Sequence, residues 1–145
     1  MLFVGEYSHN IDAKGRIIIP AKFREQLGQH FMVTKGFDGC LFVYPNDVWE
    51  QLAESLVKLP SNQKSARYLQ RIFISGAQEG EPDKQGKVLI SPPHREHAGL
   101  EKQVVIIGVG SHIEIWDAQR WEDYSGNEEE MSLEEAAESL EGISF

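Results

Sequence analysis

Asp12-Ala13-Lys14-Gly15-Arg16-Ile17-Ile18-Ile19-Pro20 is followed, 71 residues on, by Asp83-Lys84-Gln85-Gly86-Lys87-Val88-Leu89-Ile90-Ser91. The correspondence runs further, with Arg24-Glu25 matched by Arg95-Glu96 and Gly28 by Gly99. One inserted residue then moves the spacing to 72, and Val33, Gly36 and Trp49-Glu50 match Val105, Gly108 and Trp121-Glu122. Register held over so many features marks a duplication, so whatever one half folds into, the other folds into as well. The halves lie near residues 1–60 and 75–124, with a linking segment at 61–74 and a tail at 125–145.

Each half has the signals of a small β-rich unit. Asp, two variable residues and Gly form a tight turn: the Asp carboxylate bonds the backbone ahead of it, and Gly accepts positive φ. This is a type I turn closing a bulged hairpin, with the β-branched run Arg16–Ile19 as the return strand. Pro20 opens a short helix over Ala21–Leu27 that Gly28 ends, and Ser91 with Pro92 opens its counterpart. Strands follow at Phe31–Lys35 and Cys40–Tyr44, matched by Gln103–Gly108 and Ile113–Trp116. An amphipathic helix closes each half. Asn46 caps the first, which buries Val48, Trp49, Leu52, Ala53 and Leu56; Asp117 caps the second, around Trp121. The fold class expected is mixed α/β, rich in β, with two tandem hairpin units related by a pseudo-two-fold.

Leu59-Pro60-Ser61-Asn62 breaks the chain between the halves. A helix then spans Asn62–Phe73, with Ala66, Leu69, Ile72 and Phe73 on one side. Its Lys64, Arg67 and Arg71 form a basic face, either solvated or a secondary contact with DNA or another subunit. The formal charge of −9 is unevenly spread. Residues 122–145 hold nine acidic residues and no Lys or Arg, so the rest of the chain is formally neutral. In the tail, Ser132-Leu133-Glu134-Glu135 fits a capping box, and Leu133, Ala136, Ala137 and Leu140 form a narrow apolar stripe that docks or frays. The tail serves solubility, or regulation and partner binding. The N-terminus lacks the basic and apolar regions of a signal peptide, and no apolar run reaches the length of a membrane helix. The single cysteine, Cys40, lies in an apolar strand and reads as core, consistent with a reducing cytoplasm.

The candidate chemistry lies in the turns. In the first half Lys14, Arg16, Lys22, Arg24 and His9 lie near one carboxylate, Asp12. In the second, Lys84, Lys87, Arg95 and His94 lie near Asp83. Cations on a protruding loop suit phosphate contacts, Arg suits bidentate reading of guanine edges, and a two-stranded ribbon fits the major groove. One such cluster alone is an ordinary solvated loop; two at matching positions point to a DNA surface. The leading contacts are Arg16 and Lys14, then Lys87, Lys84, Lys22 and Arg24, on turns formed by Asp12, Gly15, Asp83 and Gly86. Enzyme readings find little support, since there is no G-x-S-x-G and no Walker motif. His94-Arg95-Glu96-His97 lacks the second ligand pair of a zinc site, so neither a metal nor a cofactor is expected. Trp49 and Trp121 read as core.

The two turn motifs, Asp12–Arg16 and Asp83–Lys87, resemble the paired D-x-x-x-R motifs of the bacterial MraZ family, within the wider AbrB-like swapped-hairpin DNA binders. Gly5-Glu6-Tyr7, Ile19-Pro20-Ala21-Lys22-Phe23-Arg24, Leu41-Phe42-Val43-Tyr44-Pro45, His97-Ala98-Gly99-Leu100 and Ile113-Glu114-Ile115-Trp116 carry the similarity through residue 124. The resemblance implies a sequence-specific transcriptional regulator of the division and cell-wall gene cluster, cytoplasmic and associated with the nucleoid. It also implies a homo-oligomeric ring of about eight or more subunits on repeated boxes of double-stranded promoter DNA. No membrane or small-molecule substrate is expected. The second motif departs from the pattern: it ends in Lys87, which keeps a phosphate contact but lacks the planar fork of Arg. The competing reading is an antitoxin-like protein-interaction module that shares the hairpin fold and uses the acidic tail to bind a basic partner.

Overall fold

The computed structural model describes residues 2–145. The first half contains β1 (Phe3–Asn10), β2 (Arg16–Ile18), α1 (Ala21–Leu27), β3 (Phe31–Lys35), β4 (Leu41–Pro45) and α2 (Asn46–Val57). Helix α3 (Lys64–Leu69) follows and runs on as a π-helical segment, Gln70–Ile74. The second half contains β5 (Gln78–Gly80), β6 (Lys87–Leu89), α4 (Pro92–Ala98), β7 (Gln103–Gly110), β8 (Ile113–Asp117) and α5 (Ala118–Ser125). Helix α6 (Leu133–Ser139) lies in the tail. The fold is mixed α/β: a six-stranded antiparallel sheet, a separate two-stranded ribbon and short helices.

The sheet is covered on both faces, which explains its near-continuous apolar strands. Leu41 and Val43 of β4 enter one core with Val104, Ile106, Ile113 and Ile115; α1, α4 and the β2·β6 ribbon cover it with Phe23, Ala98, Ile17 and Val88. Phe42, Tyr44, Val105, Ile107 and Trp116 enter a second core on the opposite face, covered by Trp49 of α2 and Phe73. Val48, Leu52, Ala53, Leu56 and Trp121 are half-buried at its margin. Cys40 is wholly buried there, and burial pushes its thiol pKa up, so it behaves as a small apolar residue.

The hairpin expectation is met locally and altered globally. Each turn forms, with the Gly15 amide donating to the Asp12 carbonyl at 3.0 Å and the Gly86 amide to Asp83 at 2.9 Å. The strand after each turn, however, pairs with its counterpart in the other half: β2 and β6 lie antiparallel. Strand β1 pairs over eight residues with β7, and β5 pairs with β3. The sheet order is therefore β1-β7-β8-β4-β3-β5, with the edge strands exchanged between halves. The pairing of Ile17 with Val88 buries both side chains in the shared core, a gain the three-residue β2 could not obtain beside β1 alone. Ile17 and Val88 are equivalent residues facing each other, as are Phe42 and Glu114 in the β4·β8 pair. The pseudo-two-fold axis passes between the members of both pairs.

Several sequence expectations shift at the ends of elements. Helix α2 begins at Asn46 itself, which makes no capping bond, because Pro45 occupies the cap position. Ser91 precedes α4 without a side-chain cap bond, whereas Asp117 and Ser132 accept from the amides of Arg120 and Glu135, each at 3.1 Å. The linking helix starts at Lys64, and its π segment changes the helical phase. Phe73 is buried, with its carbonyl accepting from the buried Thr34 hydroxyl at 2.8 Å, while Ile72 turns outward. The tail helix forms, with the ends of its stripe in water: Leu133 is 91% exposed and Leu140 is exposed, while Ala136 and Ala137 are half-buried.

Candidate nucleic-acid interface

The ribbon exchange brings the two turns to one place. Asp12 anchors the first: its Oδ1 accepts from the amides of Lys14 and Arg16, both at 2.9 Å, and its Oδ2 from Arg16 Nε at 2.9 Å. Asp83 repeats the pattern, with Oδ1 accepting from the amides of Gln85 at 2.8 Å and Lys87 at 2.9 Å. The halves then cross over. Arg16 reaches Asp83 Oδ2 at 3.6 Å, and Lys87 Nζ reaches Asp12 Oδ2 at 3.7 Å. Asp12, Arg16, Asp83 and Lys87 form one charge network across the pseudo-two-fold.

This network fixes the protonation of both carboxylates. The Arg16 amide, with the Arg16 side chain and the Lys14 amide, holds the Asp12 carboxyl below the usual carboxylate range. The Lys87 and Gln85 amides, with the Arg16 and Lys87 charges, do the same for Asp83. Both carboxylates are therefore ionised at neutral pH and orient the neighbouring cations. The asymmetry between motifs is visible in geometry. Arg16 bonds Asp12 through Nε and still has guanidinium donors to offer, whereas Lys87 contributes one ammonium point charge.

Arg24 and Arg95 show a second exchange. Both turn glycines have φ near +80°. A methyl added to Gly15 would lie 2.6 Å from a guanidinium nitrogen of Arg95, and one added to Gly86 would collide with Arg24. Each arginine thus lies against the turn of the other half, although the sequence places it beside its own. The Nε of each is buried and has no hydrogen-bond partner among the described residues. Sequence proximity groups Arg95 with Asp83; its recurrence with Arg24 at equivalent positions is the one signal of a paired role. Lys14 and Lys84 are exposed at the turn tips, and Lys22 is exposed on α1. His9 lies on β1, opposite Val104. Lys14, Arg16, Arg24, Lys84, Lys87 and Arg95 gather around the two turn carboxylates, on a body that is formally neutral.

The histidine pair of α4 diverges. His94 is buried with Nε2 at 2.6 Å from the Gly76 carbonyl, and His97 Nε2 lies 3.1 Å from the Gly36 carbonyl. Among the described residues, His30, Glu79 and Glu81 bring potential ligand atoms within 4.8 Å of one another. All three are exposed, and His30 Nδ1 lies 2.9 Å from a Glu79 carboxylate oxygen at the surface. No helix among the described residues is long and apolar enough to cross a membrane.

Comparison with known proteins places the whole chain. The model of the MraZ protein family, described as antitoxin-like, matches residues 2–72 and again residues 73–142. The chain is 53% identical to the transcriptional regulator MraZ of Lachnoclostridium phytofermentans, over 99% of the chain and 100% of that protein. It is 52% identical to the protein of the same name from Lactobacillus delbrueckii subsp. bulgaricus, over 98% of the chain and 99% of that protein. A relative from Heliobacterium modesticaldum, again named transcriptional regulator MraZ, is 53% identical over 96% of both chains.

Proposed function

We propose, from the premise that the chain belongs to the MraZ family, that it is a DNA-binding transcriptional regulator and not an enzyme. The observation carrying this reading is the convergence of both basic turns and the β2·β6 ribbon on one surface. A two-stranded antiparallel ribbon fits the major groove, and its pseudo-two-fold matches the local symmetry of a duplex. Lys14, Lys84, Lys22 and Arg24 supply phosphate contacts, Arg16 reads a guanine edge, and Lys87 adds charge. The chain acts on the nucleoid, on repeated boxes in the promoter of the division and cell-wall gene cluster. Its ring of about eight or more copies presents one such surface per subunit, so weak single contacts add up.

Binding to a duplex from upstream of the chain's own gene, measured by gel shift over a salt series, tests this. Log affinity should fall by about 0.9 for each phosphate neutralised per tenfold rise in salt. A flat salt response would refute a phosphate-led mode. The second reading, a protein-binding module, draws on the exposed ends of the tail's apolar stripe amid acidic residues. A chain lacking residues 126–145 separates the two, since salt-sensitive promoter binding by it leaves the tail no necessary part.

A further inference from the structure

The outward face of the ribbon carries more than charge. Ile17 and Val88 point into the core, so their neighbours Arg16, Ile18, Lys87 and Leu89 point outward. Leu89 is 65% exposed and Ile18 38% exposed. The register sets Arg16 opposite Leu89 and Lys87 opposite Ile18. Two aliphatic side chains thus lie on the same face as the charge network, each facing a cation across the ribbon, and the pseudo-two-fold relates one pair to the other. An aliphatic side chain held in water beside charged groups adds little to folding; its apolar area yields free energy only when a partner covers it.

The partner must accept two cations and offer apolar groups beside them. In the major groove the base edges present donors and acceptors, and thymine alone adds a methyl group. Directly opposed residues on a ribbon lie about 5 Å apart, comparable to one or two base steps of about 3.4 Å. Resting on the DNA-binding reading above, we propose that Leu89 and Ile18 are sequence-reading residues that pack against thymine 5-methyl groups. Each half of the ribbon then specifies a thymine within one or two steps of the nucleotide met by the cation opposite, through its base for Arg16 and its phosphate for Lys87. The assignment makes an aliphatic–cation pair the reading unit, and each unit contains one residue from each half of the chain.

The test uses the duplex from upstream of the chain's own gene, with thymines replaced one at a time by deoxyuridine, which deletes only the methyl. The parent protein should lose about fourfold in affinity at each recognised position, the value of one buried methyl. Leu89→Ala and Ile18→Ala should bind the thymine duplex more weakly and become indifferent to the replacement at their own positions. Lys84→Ala, a charge control, should weaken both duplexes equally and keep the thymine preference. Melting curves and subunit number by light scattering accompany each variant. Parent binding that is indifferent to every replacement overturns the proposal while leaving the DNA-binding reading intact. So does a Leu89→Ala protein that retains full sensitivity, or one with a changed subunit number, which would make this face a contact between copies. Absence of binding to any duplex would overturn the DNA-binding reading itself, and this inference with it.

Discussion

Replacing Gly15 by Ala probes the crossed packing of the halves. Gly15 has φ of +83°, where an L-residue pays roughly 1–2 kcal/mol in backbone strain. The added methyl would also lie 2.6 Å from a guanidinium nitrogen of Arg95 and 2.8 Å from its Cζ. Arg95 ends a flexible stem, so it swings aside and loses its packing, adding a coupling of about 0.5–1 kcal/mol. The sum, about 1.5–3 kcal/mol, corresponds to a fall in melting temperature of roughly 4–12 °C for a chain of this size. The assay is thermal unfolding, at one protein concentration, of the parent, Gly15→Ala, Arg95→Ala and the double variant. In the Arg95→Ala background, Gly15→Ala should cost only its backbone share. Gly28→Ala is the companion: Gly28 has φ of +80° but nothing within 4 Å of the new methyl, so its cost should not depend on Arg95. An equal cost of Gly15→Ala in both backgrounds would refute the crossed arrangement.

Arg16→Ala should cost about 1–3 kcal/mol on the specific duplex and relax sequence preference, whereas Lys87→Ala should weaken all DNA about equally and reduce the salt slope by about one. Affinities for cognate and scrambled duplexes at two salt concentrations decide this, and parent-like binding by Arg16→Ala would contradict it. Burial holds the His94 pKa below its ordinary 6.5, and this outweighs the opposing bond to the Gly76 carbonyl. The unfolded chain therefore binds this proton more readily, and the stability owed to neutral His94 is present above pH 6.5 and lost below it. Melting temperature should fall as pH drops from about 7.5 to about 5. The fall should be shallower in His94→Gln; identical slopes would show that His94 does not contribute. Removing residues 126–145 should leave unfolding cooperative and DNA affinity unchanged or tighter, because Leu133 and Leu140 lie exposed and the segment is acidic. A broadened transition would show that the tail packs.

What the sequence revealed is what local physics determines. The Asp12–Gly15 and Asp83–Gly86 turns, the helices opening after Pro20 and at Pro92, and the Asp117 and Ser132 caps depend on residues within a few positions of one another. The strands Phe31–Lys35 and Gln103–Gly108 were readable from their apolar runs. Strand partnership was not, because β2 carries the same residues whether it pairs with β1 or with β6, and only the buried meeting of Ile17 with Val88 decides. Arg24 and Arg95 were misleading for the same reason: nearness along the chain suggested their own turns, and the exchange gave each to the other. The apolar spacing places Ile72 on the inner side of a regular helix; a single π segment turns it outward. Among the candidate contacts, the exposed Lys14, Lys22 and Lys84 lie where a solvated turn or helix would put them. The tie between Arg16, Lys87 and both aspartates needed the assembled ribbon.

The exchange of edge strands also bears on synthesis. Phe3 of β1 pairs with Gly110 of β7, and Arg16 with Leu89. At about 5–20 residues per second, the first strands emerge from the ribosome several seconds before their partners exist. During that interval β1 and β2 present open edges and Ile17 has no core to enter. A first half released alone would retain that need for a second ribbon strand, and a second such half could satisfy it. Joining the halves in one chain makes the partner a certainty of translation and removes its dependence on encounter, so a concentration-dependent assembly becomes a matter of waiting.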